Sequence, residues 1–86
     1  FDLTTIFDAD AVTAQGVADV YEAQAVTTAE AFVAAGLDAA VVSTPNRTHA
    51  DLTVALLERG VHVLVEKPIA ATVADARRMI DAAEAN

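Results

Sequence analysis

Bulky apolar residues in this chain gather in short runs, and alanine-rich stretches with helical spacing separate them. Leu3-Thr4-Thr5-Ile6-Phe7 is the first run. Asp8-Ala9-Asp10 ends it, and Ala11, Ala14, Val17, Ala18 and Tyr21 then recur at helical intervals. Ala25-Val26 is a short apolar pair. Thr28 is placed to cap a helix over 29–35, which Gly36 stops. Ala39-Ala40-Val41-Val42-Ser43 lacks alternation, which predicts a strand covered on both faces. Thr44-Pro45-Asn46 breaks that strand, since proline has no ladder donor and disfavours a helical residue before it. Ala50, Val54 and Leu57, widened by Leu56, form the next helical stripe, closed by Arg59-Gly60. Val61-His62-Val63-Leu64-Val65 is the clearest strand, and Glu66-Lys67-Pro68 ends it. Thr72 with Asp75 resembles a capping box. The last helix is expected to turn Val73, Ala76, Ile80 and Ala83 inward, with Asp75, Arg78 and Asp81 outward.

The resulting order, β-α-(β)-α-β-α-β-α, predicts an α/β fold with a parallel sheet, right-handed crossovers and helices on both faces. Ligands of such sheets bind beyond the carboxyl ends of the strands, where Asp8, residues 43–46 and residues 66–68 stand. Eighty-six residues make one small domain, not a dinucleotide domain plus a substrate domain. With 13 acidic residues against 5 Lys and Arg, the net charge is -8, so nucleic acid and anionic membrane are poor partners. No apolar run reaches the ~18 residues that span a bilayer. The absence of cysteine excludes a disulfide framework, a thiolate metal site and a cysteine nucleophile, and fits a reducing, cytoplasmic location. No metal is expected, because no His and carboxylate cluster has ligand spacing. The chain opens on Phe1 with no basic region before an apolar stretch, so no signal peptide is expected, and the first residue hints at a fragment.

Asp8 closes a strand and opens a helix, where a carboxylate can accept from an adenosine ribose or simply cap the helix. No Arg or Lys follows closely to pair with a 2'-phosphate, which favours NAD over NADP. Ser43, Thr44, Pro45 and Asn46 offer hydroxyls and an amide on a rigid turn, suited to a ribose or a carboxamide or to capping the next helix. His49 can donate to the loop backbone or approach a ligand, and His62 reads as a packed strand residue with a backbone partner. Lys67 is the only lysine; the other cations are Arg47, Arg59, Arg77 and Arg78. Where a generic surface cation serves, this chain uses arginine. A lysine at the sheet's carboxyl edge places a compact ammonium with three donors beside a substrate hydroxyl. Glu66 is placed to orient Lys67 or contact a cofactor, and Pro68 fixes the loop's exit. The glycines, Gly16, Gly36 and Gly60, are too far apart for a phosphate loop.

Ser43-Thr44-Pro45-Asn46-Arg47-Thr48-His49, followed by His62-Val63-Leu64-Val65-Glu66-Lys67-Pro68, resembles the glucose-fructose oxidoreductase, inositol dehydrogenase and MocA (Gfo/Idh/MocA) family over essentially the whole chain. The resemblance implies an NAD(P)-dependent oxidoreductase of sugars, polyols and related hydroxy compounds, working with NAD and built as a homo-oligomer. It also implies roles. Asp8 would meet the adenosine ribose; Ser43, Thr44, Pro45 and Asn46 would line the cofactor, with His49 supporting their loop. Glu66 and Lys67 would sit near the nicotinamide ribose, Lys67 positioning or polarising the substrate hydroxyl.

The family's first strand and its Gly-rich turn, about 30 residues expected before Phe1, are absent from these residues, as is the second, substrate-binding domain with its proton-transfer groups. Residues 1–86 are therefore expected to be a partial, Rossmann-like doubly wound sheet, inactive alone. In the order 3-2-1-4-5-6, loss of the first strand leaves the second and fourth without their central neighbour. The expectation is a piece of a longer protein; direct pairing across the gap, or a second chain filling it, are the other outcomes. A non-catalytic nucleotide-binding or interaction module is the alternative to the enzyme.

Overall fold

The computed structural model describes residues 1–86 and divides into two compact units, Phe1–Gly36 and Leu37–Asn86. In the first, β1 (Thr5–Phe7), α1 (Ala11–Tyr21), β2 (Gln24–Val26) and α2 (Ala29–Val33) follow in order. β1 and β2 are parallel, with Thr5 opposite Gln24 and Phe7 opposite Val26. The pair Ala25-Val26, too short to read alone, is thus a strand. α1 starts because Asp10 accepts from the Val12 N–H. It ends at Glu22, held in the left-handed region at φ 55°. Ala14 and Ala18 are its buried residues, so the helix sits close to β1 and β2. Val17 and Tyr21, expected inward, are exposed. Alanine is small enough for the backbone itself to approach the sheet, and the bulkier neighbours are turned aside.

α2 is capped by Thr28, whose hydroxyl accepts from the Ala31 N–H. It is shorter than the expected 29–35, with its C-cap at Ala34, and Gly36, at φ +74°, turns the chain two residues further on. A five-residue helix does not hold by local hydrogen bonds alone. Its anchor is Phe32, buried and stacked on Phe7 of β1 with ring centroids 5.7 Å apart.

The second unit contains β3 (Ala39–Val42), a 3-10 turn (Asn46–Thr48), α3 (His49–Glu58), β4 (His62–Val65) and α4 (Val73–Ala85). β3 and β4 are parallel, pairing Ala39 with His62 through to Val42 with Val65. The core collects Ala40 and Val42 of β3, Val61, the α3 residues Ala50, Leu52 and Leu56, and Met79 of α4. Of the expected α3 stripe, Ala50 and Leu56 are buried, joined by His49, Leu52 and Thr53, while Val54 and Leu57 are half-buried. On α4 the buried residue is Met79, whereas Val73, Ile80 and Ala83, expected inward, are exposed. Both helices carry apolar residues on more than one face, and packing of α3 against α4 and the sheet selects which are buried. Thr72 accepts from the Asp75 N–H, but the Asp75 carboxylate pairs with Arg78 instead of returning to Thr72, so only half of the capping box forms.

β3 corrects the expectation of two covered faces. Ala40 and Val42 are buried, but Val41 is 66% exposed and Leu64 of β4, on the same face, is 68% exposed. His62 also lies exposed there; its backbone N–H bonds to Asp38, but its ring is not packed. The two ladders, β1 with β2 and β3 with β4, are those the order 3-2-1-4-5-6 leaves when its first strand is removed.

Candidate functional site at the strand carboxyl ends

In the first unit, the Asp8 N–H still bonds to Val26 at 3.3 Å, so Asp8 is held at the end of the β1 ladder. Its Oδ1 accepts the Asp10 N–H at 2.8 Å. The capping work falls to Asp10, which accepts from Val12 N–H at 3.1 Å and from the Thr13 hydroxyl at 2.9 Å. Asp8 is therefore not the N-cap. It is half-buried and keeps its second oxygen uncommitted, while Phe1–Gly36 contains no lysine or arginine. A free carboxylate oxygen without a nearby cation suits a neutral diol and opposes a phosphate.

In the second unit, β3 and β4 end in register, and the Glu66 N–H extends the ladder to Val42 at 2.9 Å. Two loops consequently leave the sheet side by side, one carrying Ser43, Thr44, Pro45 and Asn46, the other Glu66, Lys67 and Pro68. Ser43, Pro45, Asn46, Glu66, Lys67 and Pro68 are exposed, and Thr44 is half-buried. The first loop folds on itself. The Thr48 N–H and hydroxyl both donate to the Pro45 carbonyl, at 2.9 and 2.7 Å. Thr48 Oγ1 has no second proton, so the 2.6 Å contact between the hydroxyls of Thr44 and Thr48 has Thr44 as donor. The Thr44 oxygen is left as an acceptor.

Glu66 turns back, and its Oε1 accepts the Lys67 N–H at 3.0 Å. It holds the lysine's backbone and does not pair with its ammonium. The Lys67–Pro68 peptide bond is cis. The two ion pairs of the chain both belong to Arg78, so the Lys67 ammonium is uncommitted.

His49 stands between the loops on the first turn of α3, 1% exposed. Nε2 lies 2.7 Å from the Thr44 carbonyl oxygen and Nδ1 3.0 Å from that of Pro68. Both ring nitrogens face backbone, which leaves neither turned to a ligand. The sequence suggested contact with the adjacent loop; the link to Pro68, 19 residues away, had no local signal.

Parallel strands whose loops leave their carboxyl ends side by side are characteristic of dinucleotide-binding α/β domains. The family profile for the oxidoreductase family with an NAD-binding Rossmann fold, GFO_IDH_MocA, matches residues 1–86, and the chain belongs to that family. Inositol 2-dehydrogenase 1 of Saccharopolyspora erythraea is 52% identical over 46 residues, covering 54% of this chain and 14% of that protein. Among solved structures, the WlbA dehydrogenase from Bordetella pertussis, in complex with NADH and UDP-GlcNAcA, superposes with a TM-score of 0.91 at 28% identity, over 98% of this chain and 26% of that one. KijD10, a 3-ketoreductase from Actinomadura kijaniata in complex with NADP and TDP-benzene, gives 0.88 at 26% identity, over 98% and 26%. The chain thus spans about a seventh of the curated relative and about a quarter of each solved chain.

Proposed function

We propose that this chain is part of the NAD-binding domain of a longer oxidoreductase that moves a hydride between the cofactor and a secondary alcohol of a sugar or polyol. The observation that carries the reading is the pair of loops at the carboxyl ends of β3 and β4, held in register with an uncommitted lysine on one of them. The residues present fit a nicotinamide dinucleotide. Asp8 has a free oxygen for the ribose diol, Thr44 has an acceptor, and Asn46 has an exposed amide. NAD is the preferred form, because a 2'-phosphate beside Asp8 would meet negative charge without a cation.

The nicotinamide, when bound, takes or returns the hydride. Lys67 would hydrogen-bond the substrate oxygen, holding the reacting carbon in place and stabilising the charge that grows on that oxygen as the C–H bond breaks. Glu66 would fix the backbone from which Lys67 reaches. The hydroxyl proton would leave to a group outside residues 1–86. Names among the relatives support the substrate class: an inositol for one, nucleotide-linked ligands for the solved structures.

The test is a screen of the intact protein for NAD- and NADP-linked oxidation of inositols, free sugars and nucleotide sugars, read by the absorbance of the reduced nicotinamide. Turnover with NAD on a member of these classes is expected. Binding of NAD with no turnover on any of them would contradict the proposal.

A further inference from the structure

We infer that His49 is a positioning residue whose imidazole bridges the Thr44 and Pro68 carbonyls, and so clamps the Lys67 loop to the Thr44 loop. The inference rests on the role proposed above for Lys67. Each ring nitrogen faces a backbone carbonyl, Thr44 at 2.7 Å and Pro68 at 3.0 Å. The ring thus stands between two backbone acceptors that belong to different loops. At 1% exposure the ring has no bulk water to substitute for either partner.

The other side-chain bonds of the two loops are local, Thr44 to Thr48, Thr48 to Pro45 and Glu66 to Lys67. Beyond the strand ladder, His49 alone ties one loop to the other. Pro68 follows Lys67 directly, so fixing its carbonyl fixes the backbone from which the ammonium reaches. A displacement of ~1 Å at a reacting group costs about 100-fold in rate. His49 therefore acts through Lys67 while touching neither cofactor nor substrate.

Two measurements on the intact protein test this. In protein labelled with nitrogen-15 in its histidines, with the rings assigned through bonds from the backbone, the His49 ring N–H should be slow to exchange. Exchange as fast as that of an exposed histidine overturns the clamp. In His49→Gln and His49→Phe, the chains that still bind NAD should show kcat lowered by about 100-fold, more in Phe than in Gln, which keeps a donor. If turnover falls only in proportion to the NAD-binding fraction, His49 is merely structural and the inference fails. Should neither variant fold, the ring signals of the unmodified protein decide. Lys67→Ala run alongside separates the two readings. Full turnover there refutes the role of Lys67, whereas collapse there with normal turnover in His49→Gln refutes only the clamp.

Discussion

The carboxylate of Asp8 accepts the backbone N–H of Asp10 at 2.8 Å, while Asp10 commits both of its own oxygens to α1. Two carboxylates two residues apart thus have separate duties. Asp8→Ala should weaken NAD binding by about 10- to 100-fold, the worth of a hydrogen bond to a charged group, and narrow the preference for NAD over NADP. Asp10→Ala should instead cost about 1 kcal/mol of stability with the NAD to NADP ratio unchanged. Calorimetric titration of both cofactors into both variants reads the difference. Unaltered NAD affinity in Asp8→Ala would remove Asp8 from the ribose site.

The core of the second unit gives two opposite expectations from one buried face of α3. Leu56 is fully buried, and Leu56→Ala should cost about 2–5 kcal/mol through lost transfer and a residual cavity. Thr53 is 3% exposed, and its hydroxyl has no hydrogen-bond partner. Thr53→Val keeps the shape and removes the orphaned group, so a gain of about 1 kcal/mol is expected. Urea denaturation checks both. A loss of stability in Thr53→Val would mean that the hydroxyl has a partner in the intact protein.

Arg78 joins α4 to α3 by donating to Asp51 at 2.9 Å, and donates to Asp75 on its own helix at 3.1 Å. Hydrogen bonds to Asp51 and Asp75 raise its guanidinium above its ordinary value. A raised cation contributes stability below its unfolded value and loses it only as pH rises through the folded one. Its own titration therefore does not alter stability in the neutral range. The side chain is 51% exposed, so water and salt screen the pair. Arg78→Ala should shift the thermal midpoint slightly, and the shift should vanish in high salt. A large, salt-independent drop would contradict the screened pair.

How far the sequence revealed the fold depended on whether a signal was local. Thr28 and Thr72 were legible because a cap acts within a turn. The motifs around Thr44 and Lys67 placed the loops correctly at strand ends, since proline and strand length determine that locally. On α3, Ala50 and Leu56 were legible, but Leu52 and, on α4, Met79 were not, because each helix has apolar residues on more than one face and only the tertiary neighbour chooses between them. Asp10 capped α1 where Asp8 had been a candidate, a choice of two residues that patterning cannot make. The apolar, non-alternating β3 suggested two covered faces, and Val41 is open in these residues. In the proposed longer protein that face would be covered, and Leu64→Asp should then destabilise it as a core substitution does, not as a surface one.

The most direct measurement is turnover and NAD affinity in the intact protein with Lys67→Ala. The account predicts that kcat falls by at least about 100-fold, the usual contribution of a group acting on the reacting oxygen, while the dissociation constant for NAD hardly moves. Wild-type turnover in this variant, or a loss of NAD binding that explains the lost rate, would contradict the placement of Lys67 at the reacting oxygen.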